Sequence, residues 1–388
     1  MKKLIFALLC IGTMAATAQK NKNKAAKELP TPTDYTISLS PDKWEFKPDK
    51  VQFFDKDGKQ AMRIIQGNQG AVLLKDVIFK DGTIEFDFEP SAPMTLMSSP
   101  SVYFRANIEK FDTEIFYIRG RPGNPRANDG IQYCPILNGV NMWDMYPNYQ
   151  GPAWFEEGKT NHLKMVISGQ QMRVYVNDMK KPALQIPKLE GNIQEGALAI
   201  DGGMVVTNFQ LKPNVVEDLP AFEGPDLTDH DANYIRNWVI NAPAELPTLT
   251  EVSPIDLPKP ETFTESISAE REGLINLSRK FGNNEKRKVI WLKAKIKSEK
   301  DQKMLMQLGF SDEVWVFLNK QMVFLDKNFY LIHPMRKYPE GRISLQNSKV
   351  NLNLKQGENE VLIALANDFY GWGIIARLES MDGITFVK

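Results

Sequence analysis

The sequence has very few residues suited to disulfide or metal chemistry. Two cysteines occur among 388 residues, and Cys10 lies in the amino-terminal apolar run. If that run is removed as part of an export signal, Cys134 has no second thiol to pair with. Hydrophobic cores alone must then hold the remaining chain together. Histidine is also scarce, since His162, His230 and His333 are the only three. This scarcity argues against a histidine-rich zinc centre and leaves carboxylates to carry any catalysis.

Net charge and long apolar runs are missing as well. The 48 basic residues balance the 48 acidic ones, which gives no electrostatic reason to expect nucleic acid or an anionic membrane as a partner. No apolar stretch reaches the roughly 20 residues that a membrane-spanning helix requires. We therefore expect no nucleic-acid partner and no transmembrane segment.

The amino terminus has the features of an export signal. Two lysines precede the apolar run of residues 4–14, and small residues at 16–18 suit a signal peptidase. Residues 1–18 are therefore predicted to be a signal peptide, which makes the protein periplasmic or extracellular. Residues 19–34 are polar and end in prolines, so we expect a disordered tether.

The rest of the chain has the pattern of an all-β protein. Residues 35–212 contain short alternating segments with turns every eight to twelve residues or so, typical of an antiparallel sandwich. Residues 213–262 hold eight of the 24 prolines, and proline cannot donate to a sheet ladder. They are expected to form an extended connector over both domains. Residues 263–388 again show short strands, so the sequence predicts two β-sandwich (jelly-roll) domains.

Particular strings add a family resemblance. In the first half, "DGTIEFDF", "FYIRGRPGNPRANDGIQYCPILNGVNMWDMYP" and "NHLKMVISGQQMRVYVND" resemble the concanavalin A-like lectin and glucanase superfamily, in its laminin-G-like branch. In the second, "GFSDEVWVFLNKQMVF" and "LKQGENEVLIALANDFYGWGIIARLE" are similar to galactose-binding-like jelly rolls. Together the resemblances cover roughly residues 35–388. They imply a carbohydrate-related role, although both folds host lectins, enzymes and spacers.

A carboxylate triplet in the first domain is one candidate site. Glu85, Asp87 and Glu89 share one face of a predicted strand, an arrangement that laminarinase-type β-glucanases use for catalysis. Retaining glycosidases need two carboxyls about 5 Å apart. Residues i and i+4 of a flat strand have Cα atoms about 13 Å apart, from a rise of roughly 3.3 Å per residue. The pattern favours a half-buried strand with solvated acids, and catalysis by the triplet is the alternative.

The segment of residues 117–154 is the preferred candidate for ligand binding. Its three arginines lie within eight residues, and guanidinium forks suit carboxylate or sulfate. Aromatic rings and amides follow, the side chains on which sugars stack and hydrogen-bond. The predicted binding residues are Tyr117, Arg119, Arg121, Arg126, Asn128, Gln132, Tyr133, Asn138, Trp143, Tyr146 and Trp154.

The same residues have a structural interpretation. Clustered aromatics often pack as core, and the arginines would then pair with nearby acids such as Glu114 and Asp129. In the second domain, the resemblance places Asp312 and Asn319 at turns at a sheet end, where related modules sometimes hold a structural calcium or a sugar. Loop closure by these two residues is the favoured interpretation, and no other cofactor is expected.

The function predicted from the sequence is that of a secreted, non-catalytic glycan-binding or accessory protein of carbohydrate processing. Its expected partner is a carbohydrate or polysaccharide, with acidic glycans included. One alternative is a glycoside hydrolase or lyase that draws its carboxylates from Glu85, Asp87, Glu89 and Glu114. A second is a structural or protein-binding module of a surface assembly.

Overall fold

The structure is a computed structural model that describes residues 35–65, 71–95, 99–120, 124, 126–282 and 286–387. Strands dominate these residues and pair antiparallel. The all-β prediction is therefore confirmed. The predicted signal peptide and tether, residues 1–34, lie outside the described residues, as does Arg121.

Short strands with alternating burial make up the first half of the chain. In β5, for example, Ile84, Phe86 and Phe88 are buried and the residues between them are half-buried. The strands are β1 (Trp44–Glu45), β2 (Val51–Lys56), β3 (Lys59–Ile64), β4 (Val72–Leu74), β5 (Gly82–Pro90), β6 (Ser101–Asn107), β7 (Asp112–Ile118), β8 (Ile131–Leu137), β9 (Val140–Asn141), β10 (Gln150–Gly151), β11 (Asn161–Ser168), β12 (Gln171–Val176), β13 (Leu184–Ile186), β14 (Ala197–Asp201) and β15 (Met204–Pro213).

These strands form two sheets that pack face to face as the first sandwich. Sheet A has the order β13-β12-β11-β5-β15-β3-β2, and sheet B has the order β1-β4-β14-β6-β7-β8-β10 with β9 paired to β8. The inward side chains of both sheets, such as Phe86 and Val206 from sheet A and Phe104 and Phe116 from sheet B, form one hydrophobic core. Two antiparallel sheets with a shared apolar core are the defining feature of a β-sandwich.

The second half of the chain is also built from short strands. They are β16 (Asn237–Ile240), β17 (Ala244–Glu245), β18 (Glu265–Ser268), β19 (Ile275–Asn276), β20 (Lys288–Ser298), β21 (Gln302–Phe310), β22 (Asp312–Leu318), β23 (Gln321–Asn328), β24 (Ser348–Leu354), β25 (Gly357–Asn367), β26 (Gly373–Leu378) and β27 (Ile384–Val387). One short helix, α1 (Leu277–Phe281), follows β19. Within the described part of the chain, no helix has the length and apolar character needed to cross a membrane.

Two further sheets form the second sandwich. Sheet C has the order β18-β16-β20-β25-β22-β23, with β17 and β27 also paired to β20, and sheet D has the order β19-β26-β21-β24. Ile290 and Val314 from sheet C share a core with Met306 and Ile374 from sheet D. The chain therefore has one apolar core for each sandwich.

Residues 213–262 run along the outer sides of both sandwiches. Leu219 packs on Val166 and Tyr175 of sheet A. Further along, Leu246 joins an apolar cluster with Trp315 on the outer side of sheet C. Within the same range, β16 and β17 pair with β20 and so belong to sheet C. Burial against both sandwiches explains how a proline-rich segment without continuous strand pairing can be ordered.

Buried contacts join the two sandwiches. Leu274, Ile343 and Ile375 of the second half pack against the core of the first sandwich. The backbone N–H of Ile343 donates to the Asp144 carbonyl at 2.9 Å, and the N–H of Gly371 donates to the Asp144 carboxyl at 3.2 and 3.3 Å. The two sandwiches therefore meet through both apolar and hydrogen-bonded contacts.

We expect Gly371→Ala to lower the free energy of unfolding by about 1–3 kcal/mol, the usual cost of overpacking. A Cβ at Gly371 would overlap the Cγ of Met145 and lie 2.7 Å from Asp144 Oδ1. Gly151→Ala is a matched control, because its Cβ would meet the Ala183 carbonyl oxygen at 3.4 Å, an ordinary van der Waals distance. Urea unfolding measures both variants, and equal stabilities would contradict the close contact between the sandwiches.

Candidate functional site

The carboxylates of β5 lie on the outer side of sheet A and have close partners there. His162 on β11 contacts two of them, with Nε2 2.9 Å from Glu85 Oε1 and Nδ1 2.6 Å from Asp87 Oδ1. Lys212 also pairs with Glu85, and Asn208 donates to Asp87. The triplet is therefore part of a hydrogen-bonded ion-pair network.

This network affects the acidity of Glu85 and Asp87. Burial opposes ionisation of Glu85, but the hydrogen bonds from Lys212 and His162 bring its pKa below the usual value. The hydrogen bond from His162 likewise lowers the pKa of Asp87, and Glu89 pairs with Lys56. Carboxyls with lowered pKa values are poor proton donors at neutral pH. The contacts agree with a half-buried strand whose acids are paired, and catalysis by the triplet stays a prediction.

The predicted binding residues are divided among several places rather than gathered into one pocket. The outer side of sheet B has Tyr117, Arg119, Gln132 and Trp143. Tyr133 and Tyr146 belong to the first core. The remaining described members are exposed, namely Arg126, Asn128, Asn138 and Trp154. A ligand-binding role for the set stays a prediction.

Arg119 has the kind of partners that the structural interpretation expected. Its Nη2 donates to the Tyr117 hydroxyl at 2.9 Å and to Gln132 Oε1, and its Nε lies 4.0 Å from Asp129 Oδ2. Gln132 Nε2 in turn donates to the Trp143 carbonyl at 2.6 Å. Five residues of the segment 117–143 are thereby linked on one side of sheet B.

A polar cavity of about 280 Å³ brings ionisable residues of both halves together. We call it the glutamate cleft, and its charged lining includes Glu114, Glu190, Glu270, Arg105 and Arg279. Glu114 and Glu190 are almost fully buried. A concave site with several convergent polar groups is the usual form of a small-molecule site.

Glu114 is held by groups on neighbouring elements. It lies on β7, where Phe116 and Ile118 on the same side of the strand enter the first core. Tyr133 of β8 donates its hydroxyl to Glu114 Oε2 at 2.6 Å, and the N–H of Gly191 donates to Oε1 at 3.0 Å. Strand alternation thus directs this carboxyl inward, where two donors fix it.

Glu190 lies in the segment between β13 and β14, opposite a short 3₁₀ turn, Pro147–Tyr149. The Tyr149 hydroxyl donates to Glu190 Oε1 at 2.9 Å. Arg279 Nη2 lies 3.8 Å from Glu190 Oε2. The carboxyl therefore faces a phenol of the first sandwich and a cation of the second half.

Arg279 connects the two halves at the cleft. It lies on α1, whose first turn is capped by the Asn276 side chain. Its Nε donates to Glu270 Oε1 in its own half. Its other nitrogens donate to the Asn192 Oδ1 at 2.7 Å and to the Glu190 carbonyl at 2.9 Å, both in the first half. This guanidinium fixes the position of the second half over residues 190–192.

Burial changes the proton affinity of two cleft carboxyls. It raises the pKa of Glu114 to about 7, although Tyr133 and Arg105 oppose the change. Burial, with the negative charge of Glu270 in the same direction, raises the pKa of Glu190 to about 7. Near neutral pH both groups therefore exchange a proton with solvent or with a ligand, a property that is frequent at functional sites.

A second cavity adjoins the glutamate cleft and shares Glu190 with it. This tyrosine cavity has a volume of about 380 Å³ and is lined by Tyr146, Tyr149 and Tyr234 among others. The rings of Tyr146 and Tyr149 stack at 5.6 Å with an interplanar angle of 5°. The two cavities together offer hydrogen-bonding groups on one side of Glu190 and ring surface on the other.

Sequence reasoning found only part of this site. Glu114, Tyr133 and Tyr146 were considered, but Glu190, Glu270 and Arg279 were not, since each occurs in a segment without a motif. One signal was present, because the alternation of β7 puts Glu114 on the apolar side of its strand. A charged residue in that position is a candidate for function.

The residues considered for calcium have other partners. Asp312 accepts hydrogen bonds from the N–H groups of Asp368 and Phe369 at 2.6 and 2.9 Å. Asn319 donates its side-chain amide to Asn359 at 2.9 Å. Over the described ranges, no group of three or more His, Cys, Asp or Glu side chains is arranged to hold a metal ion.

We expect His162→Gln to lower the melting temperature at pH 6 and to have a smaller effect at pH 9. The hydrogen bonds to Asp87 and Glu85 raise the pKa of His162. Stability from a raised histidine pKa is fully present below the unfolded-state value of about 6.5 and is lost as pH rises through the folded-state value. Scanning calorimetry across this range measures the effect.

The control is His333→Gln, which removes an exposed histidine outside the sheets. It should change the melting temperature little at either pH. A loss for His162→Gln of the same size at pH 6 and pH 9 would show that the paired imidazolium adds no pH-dependent stability.

The comparisons with known proteins found partial likeness only. No protein-family profile matches the chain, and no curated protein matches it. A carbohydrate-binding module, CBM66 from Bacillus subtilis, is 14% identical, covers 45% of this chain and 96% of its own, and has a TM-score of 0.33. A Bacillus licheniformis β-glucanase is 9% identical over 46% of this chain and 96% of its own, with a TM-score of 0.33.

A galectin, LEC-6 of Caenorhabditis elegans, is 12% identical over 43% of this chain and 99% of its own, with a TM-score of 0.27. Each of these structures covers less than half of this chain. Likeness at this level does not extend to ligands or to individual residues.

Proposed function

We propose that the protein is a secreted carbohydrate-binding protein whose ligand occupies the glutamate cleft and extends into the tyrosine cavity. The observation that carries this proposal is the convergence of Glu114, Glu190, Glu270 and Arg279 on one cavity. Export to the periplasm or the cell exterior is part of the proposal and rests on the pattern of residues 1–18.

The cleft has the hydrogen-bonding capacity that a sugar requires. A sugar hydroxyl both donates and accepts, and burying it without partners is unfavourable. Ionised Glu270 would accept from hydroxyls, and the Arg279 guanidinium would donate to them. Glu114 and Glu190, with pKa values of about 7, can act as acceptor or donor. Amide side chains from Gln170 and Gln194 add to this lining.

The tyrosine cavity supplies the complementary apolar surface. Sugar rings have C–H faces that pack on aromatic rings, and Tyr146, Tyr149 and Tyr234 line this cavity. Its volume of about 380 Å³ and that of the cleft, about 280 Å³, lie near the lower end of the range for ligand sites. Glu190 lines both cavities, and the proposal places one ligand against both of them.

We expect the protein to bind at least one oligosaccharide of a broad panel in isothermal titration calorimetry. Glu190→Gln should weaken that binding about tenfold, because a hydrogen bond to a charged group contributes about 1.5 kcal/mol or more. The variant should stay folded, since glutamine has a similar shape and relieves the burial of a charge.

Glu85→Gln is the matched control, because Glu85 lies on the outer side of sheet A and does not line the cleft. It should leave the affinity unchanged. Absence of binding across neutral, uronic and sulfated glycans in a folded sample, or equal losses in the two variants, would refute binding in the cleft.

A second candidate function is glycoside hydrolysis in the same cleft. The observation in its favour is the pair of buried carboxyls with pKa values of about 7. A general acid works best when its pKa lies near the working pH. Glu114 or Glu190 would protonate the leaving oxygen, and a second, ionised carboxyl of the cleft would act as base or nucleophile.

If the cleft is hydrolytic, reducing-sugar release should fall as pH rises above about 7, because the acid loses its proton there. Glu114→Gln should lower kcat by about 10²–10⁴-fold, while Glu85→Gln should not. Binding without any release of reducing ends, by wild type and variants alike, would reject hydrolysis and leave the binding function in place.

A further inference from the structure

Two buried arginines, one from each half, meet on the outer side of sheet B. Arg119 follows β7 and Arg342 lies between β23 and β24, and their exposed fractions are 7% and 3%. The Arg119 Nε is 4.0 Å from Asp129 Oδ2, and the Arg342 Nη2 is 3.7 Å from the same oxygen. We call this the arginine pair. Its residues do not line the glutamate cleft.

Each arginine of the pair has a donor without a partner. The Nε atoms of Arg119 and Arg342 are buried and have no hydrogen-bond acceptor among the residues that the structure describes. A buried guanidinium N–H without an acceptor is costly, and such groups in folded proteins usually contact water, an ion or a ligand. Two such atoms on adjacent guanidinium groups are therefore a sign of an anion site.

The local charge also favours an anion. Two guanidinium groups share the Asp129 carboxylate, and the pKa of Arg342 is lowered by burial and by the charge of Arg119. Other acids face the pair less directly. Asp144 has its pKa raised to about 7 by burial, so it is only partly ionised at neutral pH, and Glu340 is exposed. An added negative group would relieve the repulsion between the two cations.

Aromatic rings from both sandwiches flank the pair. The ring centroid of Trp143 lies 5.8 Å from the Arg119 Cζ and 5.1 Å from the Arg342 Cζ. Tyr330 packs edge-on against Trp143 at 4.7 Å, and Tyr370 does so at 5.9 Å. Tyr370 is 45% exposed, so this cluster reaches solvent. Rings beside cations suit a ligand with both an anionic group and an apolar face.

We propose that the arginine pair binds the carboxylate or sulfate of an acidic saccharide, with a sugar face against the exposed Tyr370 ring. The Nε–H of each guanidinium would donate to an oxygen of the anionic group. The proposal rests on the proposed function for the saccharide nature of the ligand, but it concerns a separate site.

The direct test is the side-chain Nε–Hε spectrum of ¹⁵N-arginine-labelled full-length protein. Four probes are added in turn: an oligogalacturonate, a sulfated oligosaccharide, a neutral oligosaccharide of the same length and inorganic sulfate. The resonances of Arg119 and Arg342, assigned with R119K and R342K, should shift with one of the acidic probes and not with the neutral one. This measurement on wild type remains valid even if a lysine variant fails to fold.

Affinities give the second readout. By calorimetry, we expect an acidic probe to bind about tenfold or more tightly than its neutral counterpart, as charge-assisted hydrogen bonds require. R119K, which keeps the charge and loses the Nε–H donor, should reduce this ratio. The cleft variant Glu190→Gln should leave the shifts of the Arg119 and Arg342 resonances with the acidic probe unchanged. The identity of the acidic probe that binds shows whether the site prefers a carboxylate or a sulfate.

The outcomes separate the two proposals. Arginine resonances that move with neither acidic probe would overturn the anion site whatever happens at the cleft. Resonances that shift with inorganic sulfate but with no saccharide would overturn the assignment of a saccharide ligand. If only the binding of the neutral sugar is lost, the result concerns the glutamate cleft. The arginine pair is then still supported by the shifts of the Arg119 and Arg342 resonances.

Discussion

The contact of Arg279 with both halves is the interaction on which the glutamate cleft depends. Its guanidinium donates to Glu270 in the second half and to Asn192 and the Glu190 backbone in the first. Because α1 is only five residues long, its position comes from such contacts rather than from its own stability. Closure of the second half over residues 190–192 removes Glu190 from water, and that burial raises its pKa.

The same burial has a cost in folding stability. Carboxyls with pKa values of about 7, against an unfolded value of about 4.3, destabilise the folded chain increasingly as pH rises between those two values. A chain selected for stability alone would not need glutamates at these positions, since hydrophobic residues pack without the penalty. Their presence in the lining of a polar cavity is therefore the physical reason to regard the cleft as functional.

Strand alternation explains why the fold was predictable and the site only partly so. Segments such as β5, with Ile84, Phe86 and Phe88 buried, have a two-residue period that is visible in the sequence. The same two-residue period puts neighbouring members of the predicted binding set on opposite sides of sheet B. Gln132 and Tyr133 are neighbours on β8, yet Gln132 bonds to Arg119 on the outer side and Tyr133 bonds to Glu114 on the inner side. The density of arginines, rings and amides along residues 117–154 does not show which side of the sheet each of them faces.

Other parts of the site depend on tertiary contacts that no local pattern records. Glu190 and Arg279 lie far apart in sequence and meet only because the second half packs on the first. The arginine pair has the same origin, since Arg119 belonged to a recognisable cluster and Arg342 did not. The sequence therefore pointed to Glu114 and Arg119, which lie in or beside a strand of the first sandwich, but not to Glu190 or to Arg279 and Arg342 from the second half.

The most direct measurement is a ¹³C NMR titration of the glutamate side-chain carboxyls, with Glu114→Gln and Glu190→Gln used for assignment. We expect the carboxyls of Glu114 and Glu190 to titrate near pH 7 and that of Glu85 to titrate below its usual range. Midpoints near the unperturbed value of about 4.3 for both cleft glutamates would mean that the second half does not exclude water from the cleft. The central claim would then be wrong.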